Sequence, residues 1–129
     1  MKKNLRQIYY AFGGKLVGHK IMKQHVCEVV SLTEDKIISF ITNNCWFFAS
    51  FGDAWAYTLT GNDLKNQHLV ILTDELFLQS PQQIHHTIAH EIGHVVLGHK
   101  NSIFEKQTKS EIRQQEKSAD AFARKYINS

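Results

Sequence analysis

A chain of 129 residues, 43% hydrophobic and with a single proline, has the size and composition of one folded domain with its own core, which excludes a disordered or low-complexity protein. The formal net charge of +3 is mild, and the lysines and arginines are scattered from Lys2 to Lys125 with no dense run or groove-reading motif, so no nucleic-acid partner is expected. Cys27 and Cys45 form neither a CxxC pair nor a zinc-knuckle spacing and read as reduced, partly buried thiols. No stretch approaches the ~20 apolar residues of a membrane-spanning helix, and the charged start MKKNLRQIYYAFGGK has no apolar segment behind it, so neither a span nor a signal peptide is expected. The expectation is a soluble, cytoplasmic protein; the sequence does not specify an oligomeric state.

Residues 3–12 suit a short helix that stops at Gly13-Gly14. Residues 19–32, HKIMKQHVCEVVSL, place Ile21, His25 and Val29, with Met22 and Val26, at helical spacing. The pattern then changes. KIISFIT (36–42) is short, apolar and β-branched; CWFFASF (45–51) is aromatic-rich; DAWAYTL (53–59) alternates; HLVILT (68–73) follows the turn-like TGNDLKNQ. These segments predict three or four strands in a small mixed or antiparallel sheet. The aromatic residues Trp46, Phe47, Phe48 and Trp55 fit a core or the lining of an apolar pocket.

After Ser80, a helix N-cap, and Pro81, a first helical residue, the helical period returns and runs to about His99. A polar connection leads to a last helix starting near Ser110. Helices, then strands, then helices make an α+β fold: a three- to four-stranded sheet packed on two C-terminal helices. The expected organisation is one domain over residues 1–129, with a helical segment at about 1–34 and a core at about 35–129.

The segment HEIGHVVLGH (90–99) carries the chemistry. At about 100° per residue, His94 lies one turn beyond His90 on the same helix face, so both imidazoles can reach one ion. Glu91 lies beside that face, placed to act on a metal-bound water. Ile84, Ile88, Ile92, Val95 and Val96 fall on the opposite, core side. His99 lies about 180° from His90 on a continuous helix and is rejected as third ligand; Gly98 ends the helix, and His99 caps its carbonyls or contacts the last turn. His85 and His86 read as solvated or hydrogen-bonded, with His86 one turn before His90.

The third ligand must come from another element, and EKSADAFARKY offers Glu116 and Asp120 one turn apart. Ala119 and Ala123 are small enough to bring that helix close to the HExxH helix. Glu116 can then ligate and Asp120 can accept the free N–H of a ligating histidine. Read alone, the same segment is an amphipathic helix with a surface carboxylate pair.

HLVILTDELFLQSPQQIHHTIAHEIGHVVLGH followed by EKSADAFARKY resembles the gluzincin metallopeptidases, above all the catalytic core of the M48 group (the Ste24 CAAX-protease and HtpX class) and the small soluble minigluzincins. The resemblance covers about residues 50–127; residues 1–44 match nothing in it. It implies a zincin-like fold with Zn2+ held by His90, His94 and Glu116, Glu91 as general base and acid on a zinc-bound water, and Asp120 in support. The activity implied is endoproteolysis of a peptide or protein. GDAWAYTL resembles the gluzincin rim strand, with Asp53 where asparagine is usual, which implies that Ala54, Trp55 and Ala56 offer backbone groups to an extended substrate. The transmembrane helices of the membrane-bound members are missing here. Arg124 and Tyr126 are the residues available for the oxyanion role that a later side chain fills in many gluzincins. ImmA/IrrE-like peptidases, which cleave regulatory proteins, share the HE-GH--LGH segment, and a latent or inactive zincin-fold regulator would carry the same residues.

Overall fold

The computed structural model describes residues 4–50, 56–59, 67–99 and 108–127. The first helix, α1 (Leu5–Phe12), starts at a capping box in which Asn4 and Gln7 exchange side-chain and backbone hydrogen bonds. It ends where Gly13 takes the left-handed conformation, φ 58°, that a side chain disfavours. A two-residue strand, β1 (Leu16–Val17), leads into α2 (Lys20–Ser31), whose N-cap is His19: its Nδ1 accepts from the Met22 amide at 3.0 Å.

Residues 36–42 are not a strand. They lie within α3 (Asp35–Asn44), which buries Ile37, Ile38, Ile41 and Thr42. That spacing is helical, and the burial it achieves outweighs the β preference of isoleucine and threonine. The buried Thr42 hydroxyl is satisfied within the helix, donating to the Ile38 carbonyl at 2.8 Å. With no intervening loop the chain enters β2 (Cys45–Ser50), followed by β3 (Ala56–Leu59) and β4 (His68–Thr73). A 3-10 turn (Asp74–Leu78) then leads to the two C-terminal helices, α4 (Pro81–Val96) and α5 (Lys109–Tyr126).

The sheet is mixed, in the order β1-β2-β4-β3: β1, β2 and β4 run parallel and β3 pairs antiparallel with β4. The α2–α3 pair makes the crossover that a parallel β1–β2 pairing requires. Among the described residues, strand β3 forms one edge of the sheet, with Ala56 opposite Leu72. The α+β expectation holds, with four strands and the HExxH and glutamate helices packed together beside them.

The core joins Ile8 and Phe12 of α1, Met22 and Val26 of α2, Ile38 and Ile41 of α3, Phe47, Val70 and Leu72 of the sheet, and Ile88 and Ile92 of α4. Phe12 meets Phe47 edge to face, with ring centroids 5.8 Å apart. Such a contact contributes about 0.5–1.5 kcal/mol beyond its buried area. The aromatic cluster of β2 therefore divides: Phe47 is core, while Trp46 and Phe48 stack on each other on the opposite face. Cys27 and Cys45 are both free and buried, and burial pushes the Cys27 thiol up to about 11. Among the described residues no helix is long and apolar enough to cross a membrane.

Candidate metal centre

Helix α4 is built as its sequence dictates. The Ser80 hydroxyl accepts from the Gln83 amide, Pro81 occupies the first turn, and Ile84, Ile88, Ile92 and Val95 are buried against the core. The other side of the helix faces α5. That helix begins at a second capping box, Thr108 with Glu111, and buries Ala119 and Ala123. The two helices approach closely at Gly93, where a Cβ would stand 3.3 Å from the Ala119 Cα and 3.2 Å from the Phe122 side chain. Ile112, which shares the face of Glu116 on the helical wheel, remains exposed.

This close packing brings together three side chains from two helices. His90 Nε2 lies 3.1 Å from His94 Nε2 and 2.7 Å from Glu116 Oε2, and His94 Nε2 lies 3.3 Å from Glu116 Oε1. One donor atom from each residue falls within 4.8 Å of the others. The remaining ring nitrogens are engaged from behind. His90 Nδ1 donates to Asp120 Oδ1 at 2.7 Å, and His94 Nδ1 lies 2.9 Å from His99 Nδ1. Both Nε2 atoms are thereby left to face the same point. Glu91 is buried, with Oε2 3.9 Å from His90 Nε2, beside the three donors and outside their triangle.

The electrostatics suit a cation. Burial pushes His94 down to about 4, against the opposing pull of Glu116 and with a smaller push from His90 and His99. At neutral pH it is therefore a neutral imidazole, the form that ligates. His99 is also lowered, again chiefly by burial. Two imidazoles and one carboxylate, converging at contact distance with the outer ring nitrogens hydrogen-bonded, make a donor set that could hold a metal ion.

His99 is nearer the site than a continuous helix would put it. The helix stops at Val96, and Gly98 takes φ 68°. The amide of His99 then bonds the His94 carbonyl at 3.0 Å and that of Gly98 bonds Val95 at 3.2 Å, a Schellman ending that folds the chain back on itself. The His99 ring is thus returned to the outer nitrogen of His94. This agrees with the sequence expectation that Gly98 ends the helix and His99 caps its carbonyls or contacts its last turn.

The peptidase U49 family matches residues 51–129, which is more than half of the chain and includes all of α4 and α5. The chain is a member of the peptidase U49 family. Searches of curated proteins and of solved structures find no match. Family membership makes it a peptidase, acting on peptide or protein substrates.

The other residues singled out for this peptidase fall as follows. Ala54 and Trp55 lie outside the described residues, and Ala56 opens the edge strand β3, which packs against α4. Tyr126 donates its hydroxyl to Glu34 Oε1 at 3.4 Å, and Arg124 Nε donates to the Asp120 backbone carbonyl at 3.4 Å. His86 Nε2 stands 3.6 Å from Asp120 Oδ1. A second group was missed in the sequence: His25, Glu28 and His85 also bring three donor atoms within 4.8 Å of one another. The His25-x-x-Glu28 spacing on a helix was its one readable sign.

Proposed function

We propose that this U49 peptidase is a zinc-dependent endopeptidase of the gluzincin type, with His90, His94 and Glu116 as metal ligands and Glu91 as general base and acid. The observation that carries the reading is the convergence of those three donors beside a buried Glu91. Zinc bound there would polarise the scissile carbonyl and lower the pKa of a coordinated water toward about 7. The chain's own residues do the rest. Glu91 accepts the proton of the attacking water and returns it to the leaving amine, a role worth about 10²–10⁴-fold in rate. Asp120 and His99 hold the two imidazoles in the tautomer that keeps Nε2 bare. The strand beginning at Ala56, at the edge of the sheet among the described residues, would offer backbone groups to an extended substrate, a role that the resemblance also assigns to Ala54 and Trp55.

A second reading is a latent or inactive regulator on the same scaffold, favoured by the commitment of the Tyr126 hydroxyl to Glu34. An ImmA/IrrE-like peptidase, cleaving a regulatory protein, would use the same chemistry as the first reading. Metal analysis and cleavage of a peptide library by wild type, Glu91→Gln and His94→Ala test the proposal. Glu91→Gln should retain zinc and lose cleavage, and His94→Ala should lose both. Zinc without any cleavage by wild type selects the regulator. A wild type that neither holds zinc nor gains activity when zinc is added sinks the gluzincin reading.

A further inference from the structure

We propose that His25, Glu28 and His85 form a second divalent-metal site of the zinc class, which staples α2 to the HExxH helix α4. His25 Nδ1 lies 3.0 Å from His85 Nε2, and Glu28 Oε1 lies 3.2 Å from each of those nitrogens. The three atoms make a nearly equilateral triangle. Zinc with bonds of about 2.0–2.1 Å at tetrahedral angles sets neighbouring donors about 3.3 Å apart, so this triangle fits one face of such a site with little movement.

The donor set is two imidazoles and one carboxylate, as at His90, His94 and Glu116, whose corresponding separations run from 2.7 to 3.3 Å. Protons alone bridge groups in pairs. Here two ring nitrogens and one carboxylate oxygen are directed at a single point, and the two nitrogens stand within hydrogen-bond distance while sharing the same oxygen. Supporting contacts restrict the ligands. The Phe77 ring stacks on His25 with centroids 6.4 Å apart, and all three ligand side chains are largely but not fully buried, which leaves access for an ion and a water as fourth ligand.

The position of the site gives its role. His85 and His90 stand five residues apart on α4, so they point about 140° from each other and cannot share an ion. Glu28 and His25 are one turn apart on α2, in the part of the chain that precedes the family match, whereas His85 lies within it. A metal held by the three ties the N-terminal helices to the helix that carries His90, Glu91 and His94. Binding energy at such a site adds directly to the stability of the folded state.

The test uses the full chain, zinc titration with elemental analysis, and thermal unfolding. Wild type should bind two equivalents. His94→Ala should keep one, and zinc should still raise its unfolding temperature. His25→Gln combined with His85→Gln should keep the other, with peptidase activity unchanged in the presence of zinc. Because that double variant changes two partly buried residues, Glu28→Gln serves as the milder form and should also lose the second equivalent while its circular dichroism matches wild type. A wild type that saturates at one equivalent, all of it abolished by His94→Ala, overturns the proposal. So does a second equivalent that survives both the double variant and Glu28→Gln. Failure of the catalytic reading alone is separately visible: zinc would remain on His25, Glu28 and His85 in a protein without cleavage activity.

Discussion

His90 Nδ1 donates to Asp120 Oδ1 at 2.7 Å across the α4–α5 interface. In the proposed zinc site the bond fixes which imidazole nitrogen carries the proton and would make the other a stronger ligand. Asp120→Ala should therefore weaken zinc binding about 10–100-fold, with Asp120→Asn falling between, because its amide oxygen can still accept but carries no charge. His86, 3.6 Å from the same carboxylate, is beyond good hydrogen-bond distance, and His86→Ala should leave the affinity unchanged. Competition against a chromophoric chelator measures all three. Wild-type affinity in Asp120→Ala would remove the residue from this role.

His99 supports His94 as Asp120 supports His90, but with a neutral acceptor. His99→Ala should weaken zinc binding by about 10-fold, at the low end of such effects, since water can reach the vacated position near the helix end. Gly98→Ala should act in the same direction. It strains the left-handed residue that folds His99 back, by about 1 kcal/mol, and among the described residues no atom lies within 4 Å of a Cβ there. If Gly98→Ala lowers stability but leaves zinc affinity intact, the Schellman ending matters to the helix and not to the metal site.

The contrast between these two supports shows what sequence makes legible. The division of α4 into a core face and a ligand face follows from the helical period alone, and it needs no tertiary information. The meeting of Glu116 with His90 and His94 needs two helices to pack, and the small residues Ala119 and Ala123 signalled that they could; Gly93, on the facing helix, was not singled out. The contact of His99 with the last turn was legible too, because Gly98 marks the helix end, whereas a helical wheel taken alone assumes that the helix continues and turns the ring away. Residues 36–42 were misread as a strand because β-branched composition was weighed above the spacing of Ile37, Ile38 and Ile41. The group of His25, Glu28 and His85 joins residues 57 to 60 positions apart on different helices, a pairing that no local pattern encodes.

His68 carries a pH-dependent cost. Its Nδ1 is buried without a hydrogen-bond partner among the described residues, and burial lowers its pKa below the ordinary 6.5. The folded state then binds this proton less readily than the unfolded state. Its stability contribution is complete above about pH 6.5 and is lost as pH falls toward the depressed value. His68→Phe, which keeps an aromatic ring beside Phe40 and removes the orphaned nitrogen, should gain about 1 kcal/mol at neutral pH, within the ~1–3 kcal/mol cost of an unsatisfied buried group. The gain should widen as pH drops from 7.5 to 5. Denaturant unfolding of both proteins across that range measures it, and a constant difference would show that His68 does not titrate in this window.

Gly93 tests whether the metal site depends on how closely α5 is seated. Replacing a helical glycine by alanine ordinarily stabilises by about 1 kcal/mol. Here the new Cβ would stand 3.3 Å from the Ala119 Cα and 3.2 Å from two Phe122 atoms. The backbone contact cannot be relieved by a rotamer change, so α5 must move outward by a few tenths of an ångström. Overpacking of this kind costs about 1–3 kcal/mol, which exceeds the propensity gain, and Gly93→Ala should be net destabilising by about 1 kcal/mol. The same displacement carries Glu116 and Asp120 away from His90 and His94, since all four residues straddle the contact. Zinc affinity should therefore fall in Gly93→Ala by more than in a control such as Ala123→Gly, which loosens the buried face of α5 one turn further from Glu116 without forcing the helices apart. Equal affinities in the two variants, at equal losses of stability, would mean that Glu116 reaches the histidines through side-chain adjustment and not through the seating of the helix.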